Sequence, residues 1–135
     1  MTSPHVFLNP AHWRQPRGYS NGVAARGRLI VTGGVIGWNA EEQIVSDDFA
    51  LQAAQALRSI VEILACAGAK PHHLVRLTWY VTDKREYLAA LKDLGAAYRA
   101  IIGKHFPAMA HVQVVALVED RAKVEIEATA VVPEE

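Results

Sequence analysis

The sequence has one cysteine, no excess of either charge and no long apolar run, and each of these features excludes a class of protein. Cys66 is alone, so neither an intrachain disulfide nor a cysteine-based zinc site can form. Lys and Arg together number 14, as do Asp and Glu, so the chain lacks the basic excess with which nucleic-acid-binding proteins attract phosphate. No segment approaches the roughly 20 apolar residues that a membrane helix requires.

The first ten residues contain neither the basic nor the apolar region of a secretory signal, so we expect a cytoplasmic protein with no membrane partner. Apolar residues make up 51% of the chain and charged residues 21%, which is typical of a globular protein. The length of 135 residues suits one core, and neither a linker nor a repeat divides it. We therefore predict a single domain over residues 1–135.

The hydrophobic periodicity predicts the order β-β-α-β-α-β-β. The predicted strands are 23–25, 28–32, 74–81, 110–117 and 123–132, and the predicted helices are 47–67 and 84–103. Residues 6–17 are predicted to be irregular, and Arg26-Gly27 to form a hairpin turn between the first two strands. Ser46 or Asp47 is predicted to cap the first helix, and Gly68 to end it.

The strand 74–81 alternates between two faces. Val75, Leu77, Trp79 and Val81 share one face, and Arg76, Thr78 and Tyr80 share the other. Two helices can cover only one face of the sheet, so the face with Tyr80 is expected to remain open. An open, partly apolar sheet face needs a partner, and closed symmetry between copies of the chain would provide one.

Several segments resemble the RidA superfamily, also called YjgF or endoribonuclease L-PSP. The segments that carry the resemblance are Tyr19-Ser20, Thr32-Gly33-Gly34-Val35, the helix from Gln52 to Ala67, Phe106-Pro107-Ala108-Met109-Ala110 and Val124-Glu125-Ile126-Glu127-Ala128. The resemblance extends over residues 18–132. It implies a chorismate mutase-like α+β fold, with two helices on one face of a mixed sheet. It also implies a homotrimeric barrel that binds small molecules at its subunit interfaces.

The resemblance implies hydrolysis of reactive enamines and imines without a metal or an organic cofactor. In that pattern Glu125 orients the attacking water, and an arginine holds the substrate carboxylate. Met109 stands at the arginine position, and no arginine lies near it in the sequence. Methionine cannot donate two parallel hydrogen bonds, so the usual small 2-imino acids should bind poorly. The family's helix asparagine is also absent, because Gly95 precedes Tyr98 at that position.

His111 aligns with a pocket cysteine of the family, so it is predicted to act as an acid, a base or a polar anchor. Tyr19 is expected to line the ligand site, and Gly33 and Gly34 to allow close approach of the backbone there. We expect Glu125 and His111 to share one cleft at a subunit boundary, since antiparallel pairing of the last two strands would bring them together.

Each site residue also has an ordinary structural interpretation. Glu125 could be exposed to solvent or form a surface ion pair with Lys123, and His111 could be a structural histidine. Cys66 is expected to be buried and inert in the first helix. His72-His73 lacks a third ligand, so no metal site is expected.

The leading hypothesis is therefore a divergent imine deaminase whose substrate lacks the usual carboxylate or carries a larger apolar group. The alternative is a non-catalytic trimer that binds a small metabolite, which the missing arginine, the missing helix asparagine and the altered turn Gly33-Gly34-Val35 together favour. Ribonuclease activity is disfavoured, because the net charge is zero and the sequence has no stripe of alternating basic and aromatic residues.

Overall fold

The computed structural model describes residues 2–134, so the predicted domain lacks a description only at residues 1 and 135. The strands are β1 Val6–Phe7, β2 Val23–Ala24, β3 Arg28–Val31, β4 Val35–Ile36, β5 Leu74–Val81, β6 Ala108–Gln113 and β7 Val124–Val132. The helices are α1 Phe49–Ala65, α2 Lys84–Ala89 and α3 Leu91–Ile101, with a 3₁₀ turn at Pro71–His73. No helix of the described chain is long and apolar enough to cross a membrane.

The main sheet is mixed, as the resemblance implies. Its order is β3-β7-β5-β6, and β4 also pairs with β7. β7 runs antiparallel to β3, β4 and β5, whereas β6 runs parallel to β5. The helices pack on one face of this sheet, which confirms the predicted α+β layering.

The expectation that the last two strands pair with each other is wrong. β5 lies between them, with Trp79 opposite His111 of β6 on one side and opposite Ile126 of β7 on the other. The physical reason is the connection through α2 and α3, which is long enough to bring β6 back parallel to β5. β6 and β7, which were predicted to be adjacent, are therefore separated by β5. β6 also ends at Gln113 and not at Leu117.

The predicted hairpin at Arg26-Gly27 is also wrong. β2 pairs with β1, a strand that the sequence did not indicate, and β3 pairs with β7. A side chain at Gly27 would overlap the carbonyl group of Val132, and its φ is +145°. Gly27 therefore permits close approach between distant segments, where a local turn was expected.

Helix α1 follows its predicted course with one change at the cap. Asp48 is the N-cap and accepts a hydrogen bond from the backbone N–H of Leu51 at 3.0 Å, where Ser46 or Asp47 was expected. Gly68 has a φ of +72°, which agrees with its predicted role at the end of the helix. Cys66 is exposed just after the helix, so the expectation of a buried cysteine is wrong.

The second helix is divided, which the sequence did not predict. α2 ends at Ala89 and α3 begins at Leu91, and the ψ of 3° at Ala90 between them departs from helical geometry. No glycine or proline marks the break. Instead the two parts pack differently: Tyr87 of α2 meets the Phe49 ring edge to face, while Leu94 and Tyr98 of α3 enter the core.

The two faces of the sheet differ in their environment. Leu77, Trp79 and Val81 are buried under the helices, as predicted, whereas a register shift between Leu74 and Arg76 removes Val75 from that set. The opposite face is uncovered in a single chain. Leu29 and Val31 at its β3 edge are each 65% exposed, so the open face contains apolar surface that a partner could bury.

A buried histidine connects α3 with β5. His105 is buried, its Nε2 lies 2.8 Å from the Leu74 carbonyl oxygen, and its own carbonyl accepts a hydrogen bond from Tyr98 Oη at 2.6 Å. Burial lowers the pKa of His105 below its usual 6.5, and the positive charges of His5 and His72 lower it further. The hydrogen bond to Leu74 opposes this shift without reversing it. The native state therefore favours the neutral ring.

We predict that the free energy of unfolding falls as the pH drops below about 6.5, because the unfolded chain then binds protons that folded His105 resists. The contribution of His105 to the free energy of unfolding is fully present above the pKa that this histidine has in the unfolded chain. It is lost below the lowered pKa that His105 has in the folded protein. His105→Gln should reduce the dependence on pH. It should also cost about 1–3 kcal/mol at neutral pH by disturbing a buried hydrogen bond.

Urea denaturation at pH 7.5 and pH 5 measures both effects. His12→Gln is the control, because His12 is exposed and should retain the wild-type dependence on pH. An equal loss of stability at low pH in His105→Gln and wild type would show that His105 is not responsible.

Candidate functional site

An aromatic pocket of about 510 Å³ opens on the helix-covered side of the sheet. Its rings come from separate parts of the chain: Tyr19, Trp79, Tyr87, Tyr98, Phe106 and His111. The fold assembles them because β5 and β6 run side by side, and α2 and α3 close the space above. Met109 also lines this pocket, so three predicted site residues, Tyr19, Met109 and His111, lie together.

His111 lies between two aromatic rings. Its ring centroid is 5.3 Å from that of Trp79, nearly parallel at 21°, and also 5.3 Å from that of Tyr87. The residue as a whole remains exposed in one protomer, yet the surrounding rings exclude enough water to lower the pKa of its imidazole. The neutral ring has one N–H donor and one acceptor nitrogen.

The indole of Trp79 contributes an unusual polar group to the same pocket. Trp79 is only 2% exposed, and its Nε1 has no hydrogen-bond partner among the described residues. A buried donor without a partner costs free energy. Trp79 is therefore both a core residue and part of the pocket wall.

Two arginines line the pocket, and the sequence reasoning missed both. Arg17 precedes β2, and Arg99 lies in the last turn of α3. They are far from Met109 in the sequence, which is why Met109 appeared to leave the pocket without a cation. The one signal available was Gly95, four residues before Arg99 and therefore on the same side of the helix.

Glu125 lies elsewhere, on the open face of the sheet. It follows the buried Val124 and precedes the buried Ile126, so its side chain projects away from the helices. Its carboxylate lies against the backbone of Gly34, where any side chain would overlap it. Gly33, by contrast, faces open space.

The position of Gly33-Gly34 follows from a bulge. Val31 is opposite Thr129, and Val35 is opposite Ile126, so four steps along one strand match three along the other. The extra residue locally bends the strand away from regular pairing. This bulge lets the bare Gly34 backbone approach Glu125.

Glu127 has a structural partner and so differs from Glu125. Tyr80 Oη donates a hydrogen bond to Glu127 Oε1 at 2.7 Å, and this contact raises the pKa of Tyr80. Glu125 shows no hydrogen bond or ion pair within residues 2–134, and Lys123 pairs instead with Glu86 at 2.9 Å. The ordinary interpretation of Glu125 as a Lys123 ion pair is therefore wrong.

The predicted site residues thus form two groups. Tyr19, Met109 and His111 lie in the aromatic pocket, whereas Gly34 and Glu125 lie on the opposite face. In one protomer the sheet separates the two groups, so the strand pairing that was expected to join Glu125 with His111 does not occur. Among residues 2–134 no cluster of three or more His, Cys, Asp or Glu side chains is placed to hold a metal ion.

Comparison with known proteins identifies relatives of the whole domain. The family model Endoribonuclease L-PSP matches residues 13–132. The 2-iminobutanoate/2-iminopropanoate deaminase of Escherichia coli strain K12 is 36% identical over 108 residues, covering 78% of this chain and 80% of that protein. The human protein of the same name is 33% identical over 105 residues, covering 77% and 73%.

A solved structure supports the same assignment. The conserved Rid family protein YyfB of Yersinia pestis, described as of unknown function, superimposes with a TM-score of 0.85 and 32% identity. The match covers 95% of this chain and 98% of that one. The resemblance seen in the sequence is confirmed, and the chain belongs to the RidA/YjgF family, whose model is described as endoribonuclease L-PSP.

Proposed function

We propose that this chain hydrolyses reactive imines or enamines to carbonyl compounds and ammonia, in a cleft between two copies of the chain. The observation that carries the proposal is the unpaired Glu125 carboxylate, which the bare backbone of Gly34 accommodates. Relatives that are 36% and 33% identical to this chain over the aligned residues are named as imine deaminases, which supports the same reaction class.

The chemistry requires a base and a polarised C=N bond. Glu125 accepts a proton from water as the water oxygen attacks the imine carbon, and the imine nitrogen gains a proton. The resulting carbinolamine loses its hydroxyl proton and receives a proton on nitrogen, so that ammonia leaves and the C=O bond forms. The net change is the addition of one water and the loss of one ammonia, with no change of oxidation state.

The separation of the two residue groups explains why two copies are needed. The pocket of one copy would hold the substrate beside Met109 and His111, with Tyr19 at its wall. Glu125, Gly33 and Gly34 would come from the open face of a second copy. This arrangement retains the predicted shared cleft but assigns its two sides to different subunits of a homotrimer.

His111 is suited to orienting the substrate. Its neutral ring can accept a hydrogen bond from an imine N–H or donate one to a carbonyl oxygen. The stacked Trp79 ring and the tilted Tyr87 ring restrict its rotation, so the orientation is set before the substrate binds. No metal or organic cofactor takes part in this scheme.

A second function, non-catalytic binding of a small metabolite, is favoured by Met109 at the clamp position, together with the missing helix asparagine and the altered Gly33-Gly34-Val35 turn. A pocket without its usual clamp could hold a ligand with no turnover. The two proposals differ in the role of Glu125, which only the hydrolase requires. The ribonuclease alternative is disfavoured by the zero formal net charge of the chain, which provides no general attraction for RNA phosphates.

Glu125→Gln should lower kcat for imine hydrolysis by about 10²–10⁴-fold, the usual contribution of a general base. Ammonia release is measured from a panel of carboxylated and neutral imines generated in the assay. The matched control is Glu127→Gln, on the same strand face, whose amide oxygen can still accept from Tyr80. Wild type and Glu125→Gln that both match buffer across the panel would leave only the binding function.

Gly34→Ala should reduce turnover about as much as Glu125→Gln, because a methyl group at position 34 displaces the carboxylate. The melting temperature should change little, since the displaced group is the end of a flexible side chain. In the Glu125→Gln background, Gly34→Ala should cause no further loss of kcat. Additive losses would mean that Gly34 acts on something other than Glu125.

The open face predicts assembly, with a sedimentation mass three times the 14.8 kDa of one chain at micromolar concentration. Val31→Asp should shift the distribution toward smaller species, because it places a charge where the partner's apolar surface would lie. Val45→Asp is the control, as Val45 is also exposed but lies outside the sheet. A wild-type mass near that of one chain would refute the shared cleft.

A further inference from the structure

The aromatic pocket contains two guanidinium groups and no carboxylate among its lining residues. Arg17 lines it together with Tyr19, and Arg99 lines it from α3. The chain as a whole is electrically neutral, so this local imbalance is a property of the pocket. A pocket of this kind favours an anionic ligand.

Arg99 is positioned by the absence of a side chain at Gly95. A Cβ built on Gly95 would lie 3.3 Å from Arg99 Nη1 and 3.9 Å from both Cζ and Nη2. The guanidinium therefore lies across the bare helix surface one turn earlier. Helical side chains lean toward the N-terminus, which explains how Arg99 reaches the space above Gly95. A larger residue at position 95 would push the guanidinium aside.

No acidic group within residues 2–134 neutralises Arg99. The ion pairs of the described chain are Arg121 with Asp47 and Lys123 with Glu86, and Arg99 donates no hydrogen bond to another described residue. Its five N–H groups are thus available to a ligand. A planar guanidinium binds a carboxylate through two parallel hydrogen bonds.

The walls of the pocket indicate which chemical group an anionic ligand should carry in addition to its charge. The Tyr98 and Phe106 rings stack at 5.4 Å with an interplanar angle of 14°, and Trp79 and His111 form a second stacked pair. The pocket volume of about 510 Å³ lies within the range of cavities that hold drug-sized ligands, and far exceeds the needs of an acid with three or four carbons. Flat rings bind flat apolar groups best.

We propose that Arg99 is the anion anchor of this pocket, in place of the cation that Met109 lacks, and that the pocket selects 2-imino acids with an aromatic side chain. The substrate carboxylate binds Arg99, and its ring lies between the aromatic walls. Hydrolysis converts R–C(=NH)–COO⁻ and water into R–C(=O)–COO⁻ and ammonia. The turnover part of this inference rests on the proposed function, whereas the binding part does not.

Calorimetric titration with phenylpyruvate, the stable keto acid of this class, tests the anchor without requiring turnover. Wild type should bind phenylpyruvate at least tenfold more tightly than pyruvate. Arg99→Gln should weaken phenylpyruvate binding about 10- to 100-fold, the loss expected for one charge-assisted contact. Arg99→Lys should recover part of it, because a lysine retains the charge but not the paired donors. Arg58→Gln, which removes an exposed helical arginine outside the pocket, should leave binding unchanged.

The variant Gly95→Ala tests whether the position of the Arg99 guanidinium affects binding independently of the stability of the fold. Alanine favours a helix more than glycine does, so this variant should melt at the same or a higher temperature. It should nevertheless weaken phenylpyruvate binding, because its methyl group displaces the Arg99 guanidinium. The neutral ketone 4-phenyl-2-butanone should bind wild type and Arg99→Gln equally, since it has no carboxylate.

The outcomes distinguish this inference from the proposed function. Arg99-dependent binding of phenylpyruvate without ammonia release from its imine would support the anchor and overturn the hydrolase. Release of ammonia that Arg99→Gln leaves unchanged, with phenylpyruvate affinity equal to wild type, would overturn the anchor and leave the hydrolase standing. Equal affinity of wild type for pyruvate and phenylpyruvate would overturn the aromatic selectivity.

Discussion

Strand β5 is paired along its length with β6 on one side and β7 on the other, and the arrangement of the site depends on this pairing. A strand alternates its side chains between two faces, so neighbours in register must share a face. Trp79 faces the helices, so its partner His111 on β6 faces them too. Tyr80 faces the open side, so its partner Glu125 on β7 faces that side as well. The pocket and the carboxylate are thereby separated within one chain, and any chemistry that needs both must bring two chains together.

The sequence predicts local structure well where local physics decides it. The alternation in 74–81 locates β5 to the residue, and the apolar spacing from Ala53 to Leu64 locates α1. Long-range pairing is different, because the alternation of β6 and β7 is satisfied whether they pair with each other or with β5. The sequence likewise does not indicate the helix break at Ala90. This break arises from packing against Phe49 and the core, and not from a residue that disfavours helices.

The same distinction applies to the site. The sequence predicted Tyr19, Met109 and His111 as site residues because each lies in or next to a segment that resembles the family, and the structure places all three in one pocket. Arg99 was missed because its role depends on the bare surface of Gly95 and on the approach of α3 to β6, which no short motif encodes. The pocket also keeps its two arginines apart from Glu125. A direct ion pair would make the arginines less able to bind an anion and Glu125 less able to accept a proton. The sheet between them prevents such a pair within one chain.

The last strand in sequence is also the most connected one. β7 pairs with β3, β4 and β5, so β3 and β4 have no strand partner in the main sheet, and β5 has only β6, until residues 124–132 are available. During synthesis on a ribosome, α1 and the β5–β6 unit can form first, but the sheet cannot close before β7 has emerged. The exposed edges of β3 and β5 are then open to pairing with other chains, which makes the interval before β7 emerges the period of greatest exposure to aggregation.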